Sequence, residues 1–313
     1  MIDSPVENFL KPLRRHLDNQ DYIELVCQAP GEIWAETRTG KWRRHAVPEI
    51  DQEYWANIAR GLGIATGQRY SDRKPMIRGA LPGGHRLFLM LGADVIDTKS
   101  GGPGICATIR LSRTFATEIE MFGVDRNAIE ILQVGVKRKR NILVAGGMGS
   151  GKTSLTRILC GWVADHRPVL IEDTAEISLD QPVASQFLIS AIESDTEINN
   201  YDMISALQRT RADRFILGEI TMENAFVMMR ILNLGSPGTI ATVHCDLPSE
   251  AIESVSELMI MSGYAKDEEA TKRYLERKIG LVVFVERAGP ARVISEIFEP
   301  GPNGTGQVVW RRG

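Results

Sequence analysis

Cysteine is scarce in this sequence of 313 residues, and the four cysteines that occur form no C-x-x-C pair. Zinc ribbons and small disulfide frameworks are built from closely spaced cysteines. The absence of such pairs argues against both kinds of site and favours a reducing compartment. The cysteines are Cys27, Cys106, Cys160 and Cys245.

Long apolar runs and a strong charge of one sign are missing as well. No apolar stretch reaches the roughly 18 residues of a membrane-spanning helix, and the N-terminus lacks the uncharged segment of a secretion signal. The 37 Lys and Arg residues nearly balance the 40 Asp and Glu residues, for a net charge of −3. This balance argues against a surface that grips nucleic acid as a whole and leaves room for a local basic patch. We predict a cytoplasmic protein without direct, specific nucleic-acid binding.

The chain opens with a helix-capping signature at Ser4, Pro5 and Glu7. An apolar stripe at helical spacing follows and predicts an amphipathic helix. This helix either packs on its own domain or touches a membrane surface. The stripe consists of Val6, Phe9, Leu10, Leu13 and Leu17.

The rest of the first third alternates short extended segments with Gly- and Pro-containing turns, around a predicted helix at Gln52–Thr66. This pattern is typical of antiparallel pairing and predicts a smaller α+β domain over residues 1–112. The predicted strands cover residues 22–28, 32–38, 42–47, 76–81, 86–91 and 105–111.

From about residue 113 the pattern changes to continuous apolar strands separated by helices. Such runs indicate a mainly parallel sheet covered on both faces, so we predict a second, α/β domain over residues 113–313. The predicted strands cover residues 141–145, 169–171, 215–217 and 239–243, and the predicted helices cover residues 152–164, 201–209 and 222–232.

Residues 146–153 match the phosphate-loop pattern G-x-x-x-x-G-K-[ST], between an apolar strand and a helix. The glycines let backbone N–H groups converge on phosphate oxygens, and the helix N-terminus adds positive potential. We expect Lys152 to bridge the β- and γ-phosphates of ATP and the hydroxyl of Thr153 to ligate Mg²⁺. The candidate nucleotide ligands are Gly146, Gly147, Met148, Gly149, Ser150, Gly151, Lys152, Thr153 and Ser154.

Candidate catalytic carboxylates follow two other predicted strands, where ligands bind in open α/β folds. Gly218 occupies the approximate place of the usual Mg²⁺-holding Asp, so Glu219 is the candidate that polarises the attacking water. Glu172, Asp173 and Glu176 follow the strand at residues 169–171 and could hold Mg²⁺-bound water or the nucleophile. Helix capping is the alternative role for Asp173.

Four motifs occur in a fixed order: the phosphate loop, then residues 171–176 (IEDTAE), 209–219 (RTRADRFILGE) and 238–244 (GTIATVH). They resemble the Walker A, Asp box, Walker B and His box of the secretion-ATPase superfamily. The first third is similar to the N-terminal domain of type IV secretion traffic ATPases, through residues 29–34, 42–45, 81–86 and 108–110. The resemblance implies a RecA-like P-loop ATPase domain behind a smaller N-terminal domain. It also implies a homohexameric ring, with nucleotide between the two domains.

The resemblance assigns further site residues. Arg86 and Arg110 match N-terminal arginines near the phosphates, where a planar guanidinium fork pairs well with phosphate oxygens. Arg209 and Arg211 match paired arginines with a phosphate-sensing or subunit-interface role. His244 matches the His-box histidine, which would sense the γ-phosphate or couple neighbouring subunits.

The chain also departs from the family pattern. Ala212 replaces a Pro, Ile220 and Thr221 replace Arg-Gly, Ser236 replaces a His and Leu111 replaces a Lys. These changes bear on turnover and subunit communication, and they motivate a nucleotide-switched scaffold with little hydrolysis as one alternative.

The function implied by the resemblance is that of a Mg²⁺-dependent ATPase. Such a motor would power substrate export, DNA transfer or pilus assembly in a type IV secretion or conjugation system. It would work with other apparatus components, at the periphery of the inner membrane. A pilus-retraction or type II secretion motor is a second alternative, although the C-x-x-C pairs typical of type II assembly ATPases are missing.

Overall fold

The computed structural model divides into two compact units. It describes residues 6–97, 101–112, 118–163, 167–172, 176–177, 179, 181–188, 200–235 and 237–313. The first unit contains the described residues up to Ser112, and the second contains those from Glu118 onward.

The first unit is a six-stranded antiparallel sheet with helices on one face. Its N-terminal segment ends in the short helix α1 (Arg14–Leu17), and the long helix α2 keeps its predicted bounds, Gln52–Thr66. The Asp51 carboxylate caps α2 by accepting the amide of Tyr54. The strands, in the spatial order β3-β2-β1-β6-β5-β4, are β1 (Tyr22–Cys27), β2 (Glu32–Thr37), β3 (Trp42–Ala46), β4 (Met76–Ala80), β5 (Arg86–Ile96) and β6 (Pro103–Arg110).

The N-terminal segment corrects the prediction of one continuous helix. A 3₁₀ turn at Lys11–Leu13 precedes α1, because Pro12 lacks an N–H and restricts the residue before it. Packing on its own unit is confirmed, since four residues of the stripe are buried in the core of that unit, whereas Phe9 is exposed. The predicted caps Ser4 and Pro5 lie outside the described residues. The buried residues are Val6, Leu10, Leu13 and Leu17.

The second unit is built on an eight-stranded sheet in the order β14-β13-β12-β7-β11-β10-β8-β9. Strands β12 to β9 in this order pair in parallel, and β13 and β14 extend the sheet by antiparallel pairing. The strands are β7 (Ile142–Ala145), β8 (Pro168–Glu172), β9 (Ser185–Leu188), β10 (Arg214–Leu217), β11 (Ile240–Val243), β12 (Leu281–Ala288), β13 (Ala291–Glu299) and β14 (Gln307–Arg311).

Helices cover both faces of this sheet. In β7, Ile142 and Val144 join one hydrophobic core, while Leu143 and Ala145 join the other. Because alternate side chains enter two different cores, β7 is apolar at every position. Among the described residues, no helix has the length and apolarity needed to cross a membrane. The helices are α3 (Arg126–Lys137), α4 (Lys152–Gly161), α5 (Asn200–Arg209), α6 (Ala225–Leu232), α7 (Ala251–Met261) and α8 (Glu268–Lys278).

A buried histidine ties α1 to the first sheet. The ring of His16 lies 4.6 Å from that of His45 on β3 and 6.3 Å from that of Tyr22 on β1. Arg15 Nε donates to His16 Nε2 at 2.9 Å, so this nitrogen acts as an acceptor. Burial, helped by the nearby His45 and Arg15, lowers the pKa of His16 to about 4.

This pKa shift predicts a pH-dependent stability. The unfolded chain has a His16 pKa of about 6.5 and binds more protons than the folded chain between pH 6.5 and 4. The contribution of His16 to the free energy of unfolding should therefore be fully present above pH 6.5 and be lost as the pH drops toward 4. His16→Phe keeps an aromatic ring but cannot be protonated, so its acid-side slope should be shallower in urea unfolding. A residual slope is expected from His45, whose pKa burial also lowers; identical slopes would contradict the prediction.

Candidate nucleotide-binding site

The glycine-rich loop runs from the end of β7 to the start of α4, and its conformation requires glycine. Gly146, Gly149 and Gly151 have φ values of 148°, 65° and 101°, which other residues rarely adopt. A Cβ on Gly146 would lie 2.0 Å from the carbonyl oxygen of Val285 on β12. A Cβ on Gly147 would meet no described atom within 4 Å. The loop is therefore packed from behind by β12 and open at Gly147.

The loop offers donors that suit an anion. Gly151 is the N-cap residue of α4, and no side chain caps this end of the helix. The Ser150 hydroxyl is buried, and its oxygen has no hydrogen-bond partner among the described residues. Unpaired buried donors at a helix N-terminus are the features that bind phosphate groups.

Lys152 is buried and turned back onto the loop. Its Nζ donates to the carbonyl oxygens of Gly146 and Gly147, each at 2.8 Å, and lies 3.0 Å from Nδ1 of His244. Since an ammonium group can only donate, Nδ1 of His244 accepts and its proton resides on Nε2. That Nε2 lies 2.7 Å from Oε1 of Glu219. Lys152, His244 and Glu219 thus form one hydrogen-bonded chain.

The sheet order explains why these three residues meet. They follow β7, β11 and β10, which are adjacent parallel strands. The carboxyl ends of parallel strands emerge at one edge, as predicted for Lys152 and Glu219. The contact through His244 was not predicted, because it joins residues that are far apart in sequence.

Two further residues hold the backbone around Glu219. The Asn224 side chain donates to the carbonyl of Glu219 at 2.8 Å and accepts the amide of Thr221 at 2.9 Å. Thr242 Oγ1 donates to the carbonyl of Gly218 at 2.6 Å. Neither Asn224 nor Thr242 was predicted; Thr242 does lie within the His-box motif, whereas Asn224 has no comparable signal.

Glu176 lies beside the start of α4. Its Oε2 accepts a hydrogen bond from Thr153 Oγ1 at 3.1 Å, which brings a hydroxyl and a carboxylate together. Oxygen ligands of this kind suit Mg²⁺. Arg157 on α4 donates to the carbonyl of Glu176 at 2.9 Å and fixes the backbone there.

Glu172 is the last residue of β8, at the predicted edge of the sheet, and its carboxylate is engaged by protein groups. Its Oε1 accepts the amides of Glu176 and Ile177 at 3.1 and 3.0 Å, and its Oε2 accepts Gln186 Nε2 at 2.7 Å. Burial raises its pKa. Both carboxylate oxygens thus contact protein groups and brace the segment that carries Glu176. Asp173 lies outside the described residues.

The glycine before Glu219 is explained by the same carboxylate. A Cβ on Gly218 would lie 2.7 Å from Cγ of Glu172. The Glu172 side chain, held by its hydrogen bonds, therefore occupies the space that an Asp side chain at position 218 would need.

An open cavity of about 420 Å³ adjoins the loop on the His244 side. Burial raises the pKa of Cys245 in its wall to about 11, so the thiol is protonated at neutral pH and is a poor nucleophile. The cavity is lined by Gly147, Met148, His244, Cys245, Asp246, Glu250 and Ser254.

Comparison with known proteins places the chain in a family. The family model described as "Type II/IV secretion system protein" matches residues 10–283. Conjugal transfer protein TrbB of Rhizobium radiobacter is 30% identical over 303 aligned positions, covering 90% of this chain and 84% of TrbB. The chain belongs to the family of type IV secretion and conjugation traffic ATPases.

Other relatives of this traffic ATPase agree with that assignment. Type IV secretion system protein VirB11 of Bartonella quintana (strain Toulouse) is 26% identical, covering 92% of this chain and 91% of VirB11. Two solved structures share the fold. The VirB11 ATPase from the Brucella suis type IV secretion system has a TM-score of 0.50 at 23% identity, covering 94% of each chain. The pilus retraction motor PilT with bound ADP has a TM-score of 0.59 at 14% identity, covering 93% of this chain and 83% of PilT.

The paired arginines of the traffic ATPase do not reach its phosphate loop within one chain. Arg209 ends α5 and Arg211 precedes β10, so both lie at the amino-terminal edge of the sheet, opposite the loop. Arg209 also donates to the Ser205 carbonyl at 2.8 Å. Of the two roles that the resemblance implies for these arginines, phosphate sensing or a subunit interface, this position favours the interface.

The other two predicted arginines belong to the first unit. Arg86 on β5 and Arg110 on β6 stand directly opposite each other, and Glu24 on β1 is the next neighbour of Arg110. Directly opposed residues of an antiparallel pair project from the same face of the sheet. The fold thus brings these two arginines together.

The packing behind the loop predicts different costs for two adjacent substitutions. Gly146→Ala should lower the free energy of unfolding by about 1–3 kcal/mol, because the methyl group meets the Val285 carbonyl and φ is positive. Gly147→Ala is the matched control and should change stability by less than about 0.5 kcal/mol. Urea unfolding of both variants measures the difference. Equal stability of the two variants would contradict the described packing.

Proposed function

We propose that this chain is an ATP-hydrolysing motor that works as a homohexameric ring in a type IV secretion or conjugation system. The single observation that carries the proposal is the hydrogen-bonded chain from Lys152 through His244 to Glu219, next to a glycine loop with the unpaired Ser150 hydroxyl. The similarity to TrbB and VirB11 over nine-tenths of the chain supports the setting. In such a secretion or conjugation system the motor powers substrate export, DNA transfer or pilus assembly.

Nucleotide binding is the first step of the proposed cycle. It takes place in the second unit, which in this proposal is a RecA-like domain. Loop amides and the Ser150 hydroxyl donate to phosphate oxygens. Lys152 exchanges the carbonyls of Gly146 and Gly147 for oxygens of the β- and γ-phosphates, which accept more strongly because they are charged. This exchange removes Lys152 from Nδ1 of His244.

The second step is activation of water by Glu219. When Lys152 leaves, His244 loses a donor on one ring nitrogen while its other nitrogen still contacts Glu219. His244 thereby transmits the position of Lys152 to the carboxylate that orients the attacking water. Asn224 and Thr242 keep that carboxylate in place through the backbone.

Mg²⁺ fits the pair of oxygen ligands at the start of α4. The Thr153 hydroxyl and the Glu176 carboxylate would hold the ion directly or through water. When bound, Mg²⁺ supplies charge neutralisation on the β- and γ-phosphoryl oxygens. Glu172 acts indirectly, by holding the amide of Glu176.

The four predicted arginines have two proposed roles, one at the nucleotide and one at the interface between subunits. Arg86 and Arg110 of the first unit supply guanidinium groups to nucleotide phosphates. Arg209 and Arg211, at the edge opposite the loop, contact a neighbouring subunit instead. We place the ring in the cytoplasm, at the periphery of the inner membrane with other apparatus components, and without specific nucleic-acid contacts.

Substitution of the two ends of the hydrogen-bonded chain should separate binding from hydrolysis. Glu219→Gln should keep ATP binding and lower kcat by at least about 100-fold, because the amide cannot polarise water. Lys152→Ala should abolish ATP binding, because the cradle loses its buried cation. Fluorescent-nucleotide titration and phosphate release measure the two quantities.

Glu223→Gln is the matched control, since Glu223 is an exposed carboxylate four residues beyond Glu219. Its phosphate release should equal that of the parental chain. Parental turnover by Glu219→Gln would overturn the catalytic assignment. Tight ATP binding with background turnover in the parental protein would favour a nucleotide-switched scaffold.

If the chain forms the proposed ring, the mass of the assembly should depend on Arg209 and Arg211. The parental chain with ATP and Mg²⁺ should form hexamers in analytical ultracentrifugation, and Arg209→Glu combined with Arg211→Glu should shift the population to smaller species. The same variant should retain ATP binding by each chain. A parental protein that stays monomeric with nucleotide would contradict the ring, and unchanged hexamers of the variant would contradict the interface role.

A further inference from the structure

The phosphate loop has a second wall, formed by the β12–β13 hairpin. In the sheet order, β7 lies between β11, which leads to His244, and β12. The carbonyl of Val285 on β12 packs against Gly146, as described above. The hairpin thus flanks the loop on the side opposite His244.

One side chain of this hairpin reaches the loop. Arg292, the second residue of β13, donates from Nε to the carbonyl oxygen of Gly149 at 2.9 Å. Its Nη1 donates to the carbonyl of Pro290 at 2.8 Å, which orients the guanidinium from within the hairpin. The contact joins residues 143 positions apart in sequence.

The aliphatic part of Arg292 covers the next glycine of the loop. A Cβ on Gly151 would lie 3.1 Å from Cγ and 3.4 Å from Cβ of Arg292, and 3.2 Å from Cε1 of Phe122. Gly149 and Gly151 are both in the left-handed region, at φ 65° and 101°. A single side chain therefore packs on one of these glycines and hydrogen-bonds the other.

We propose that Arg292 is a positioning residue of the nucleotide site, which holds Gly149 and Gly151 in phosphate-binding geometry and adds a positive charge for the nucleoside polyphosphate. The inference deepens the proposed function and rests on it. Glycine loses more conformational freedom on ordering than other residues, so a brace lowers the entropic cost of binding. A guanidinium beside the loop also attracts phosphate groups.

The position of Arg292 predicts which kinetic constant it controls. Lys152, His244 and Glu219 line the other side of the loop, where hydrolysis is proposed. Arg292 therefore contributes to the binding of ADP and ATP alike and leaves the hydrolytic step unchanged. KM should change and kcat should not.

The hairpin provides a matched control. Arg287 on β12 stands directly opposite Arg292 in the antiparallel register. It is exposed, and its Nε donates to the carbonyl of Gly289 within the hairpin tip at 3.2 Å. Its removal changes the charge of the same hairpin by the same amount without removing the contact to Gly149.

The experiment compares full-length parental protein with Arg292→Ala, Arg292→Lys and Arg287→Ala. Fluorescent ADP is titrated to each, and KM and kcat for ATP are measured. Arg292→Ala should weaken ADP binding and raise KM by about 10-fold, because the unbraced glycine loop loses more conformational freedom on binding and the site loses one positive charge. Its kcat should stay within about twofold of the parental value. Arg292→Lys should recover part of the affinity, and Arg287→Ala should match the parental protein.

Three results would overturn the inference. One is parental ADP affinity in Arg292→Ala, another is an equal loss in Arg287→Ala, and the third is a fall in kcat without a change in KM. Thermal unfolding without nucleotide checks that the variants are folded. If Arg292→Ala is not folded, Arg292→Lys provides the test by itself. A parental protein that binds neither ADP nor ATP would refute the proposed function itself. Parental binding that is insensitive to Arg292 would refute only this inference.

Discussion

Strands β7, β11 and β10 run in parallel and in register, with Ala145 opposite Val243 and Ala241 opposite Leu217. The residues that follow such strands must emerge at one edge of the sheet. Lys152, His244 and Glu219 come from three separate parts of the chain and meet only because of this register. A shift of one residue in either pairing would move a strand end by about 3.3 Å, more than the length of either hydrogen bond that joins them.

The phosphate loop lies between two walls with different physical characters. On the β11 side stand ionisable groups in a hydrogen-bonded chain that ends at Glu219. On the β12 side stand the Val285 carbonyl and Arg292, which contact the backbone of the loop. In the proposed function this arrangement separates hydrolysis from binding. The loop itself supplies the backbone donors that both require.

Glu172 and Gly218 show how packing changes the role of a carboxylate. The acidic cluster at the end of β8 resembles a set of metal ligands in the sequence, yet Glu172 is buried and accepts two backbone amides. An unpaired buried carboxylate would be costly, so its hydrogen bonds to the segment at Glu176 and Ile177 are what allow it to lie there. Glu176 is the member of the cluster that reaches Thr153.

Local sequence patterns were sufficient for the glycine-rich turn between β7 and α4, for the helix Gln52–Thr66, and for antiparallel strands in the first third with parallel strands after them. Each depends on capping, turn chemistry or periodicity within a short window. The local sequence also contained the signal that interrupts the N-terminal helix, Pro12, although the apolar stripe predicted one continuous helix. The contacts of Lys152 with His244 and of Arg292 with Gly149, and the opposite placement of Arg209 and Arg211, were decided by the tertiary structure. They join or separate residues through strand order and register, and these follow from the packing of the whole sheet rather than from any one segment.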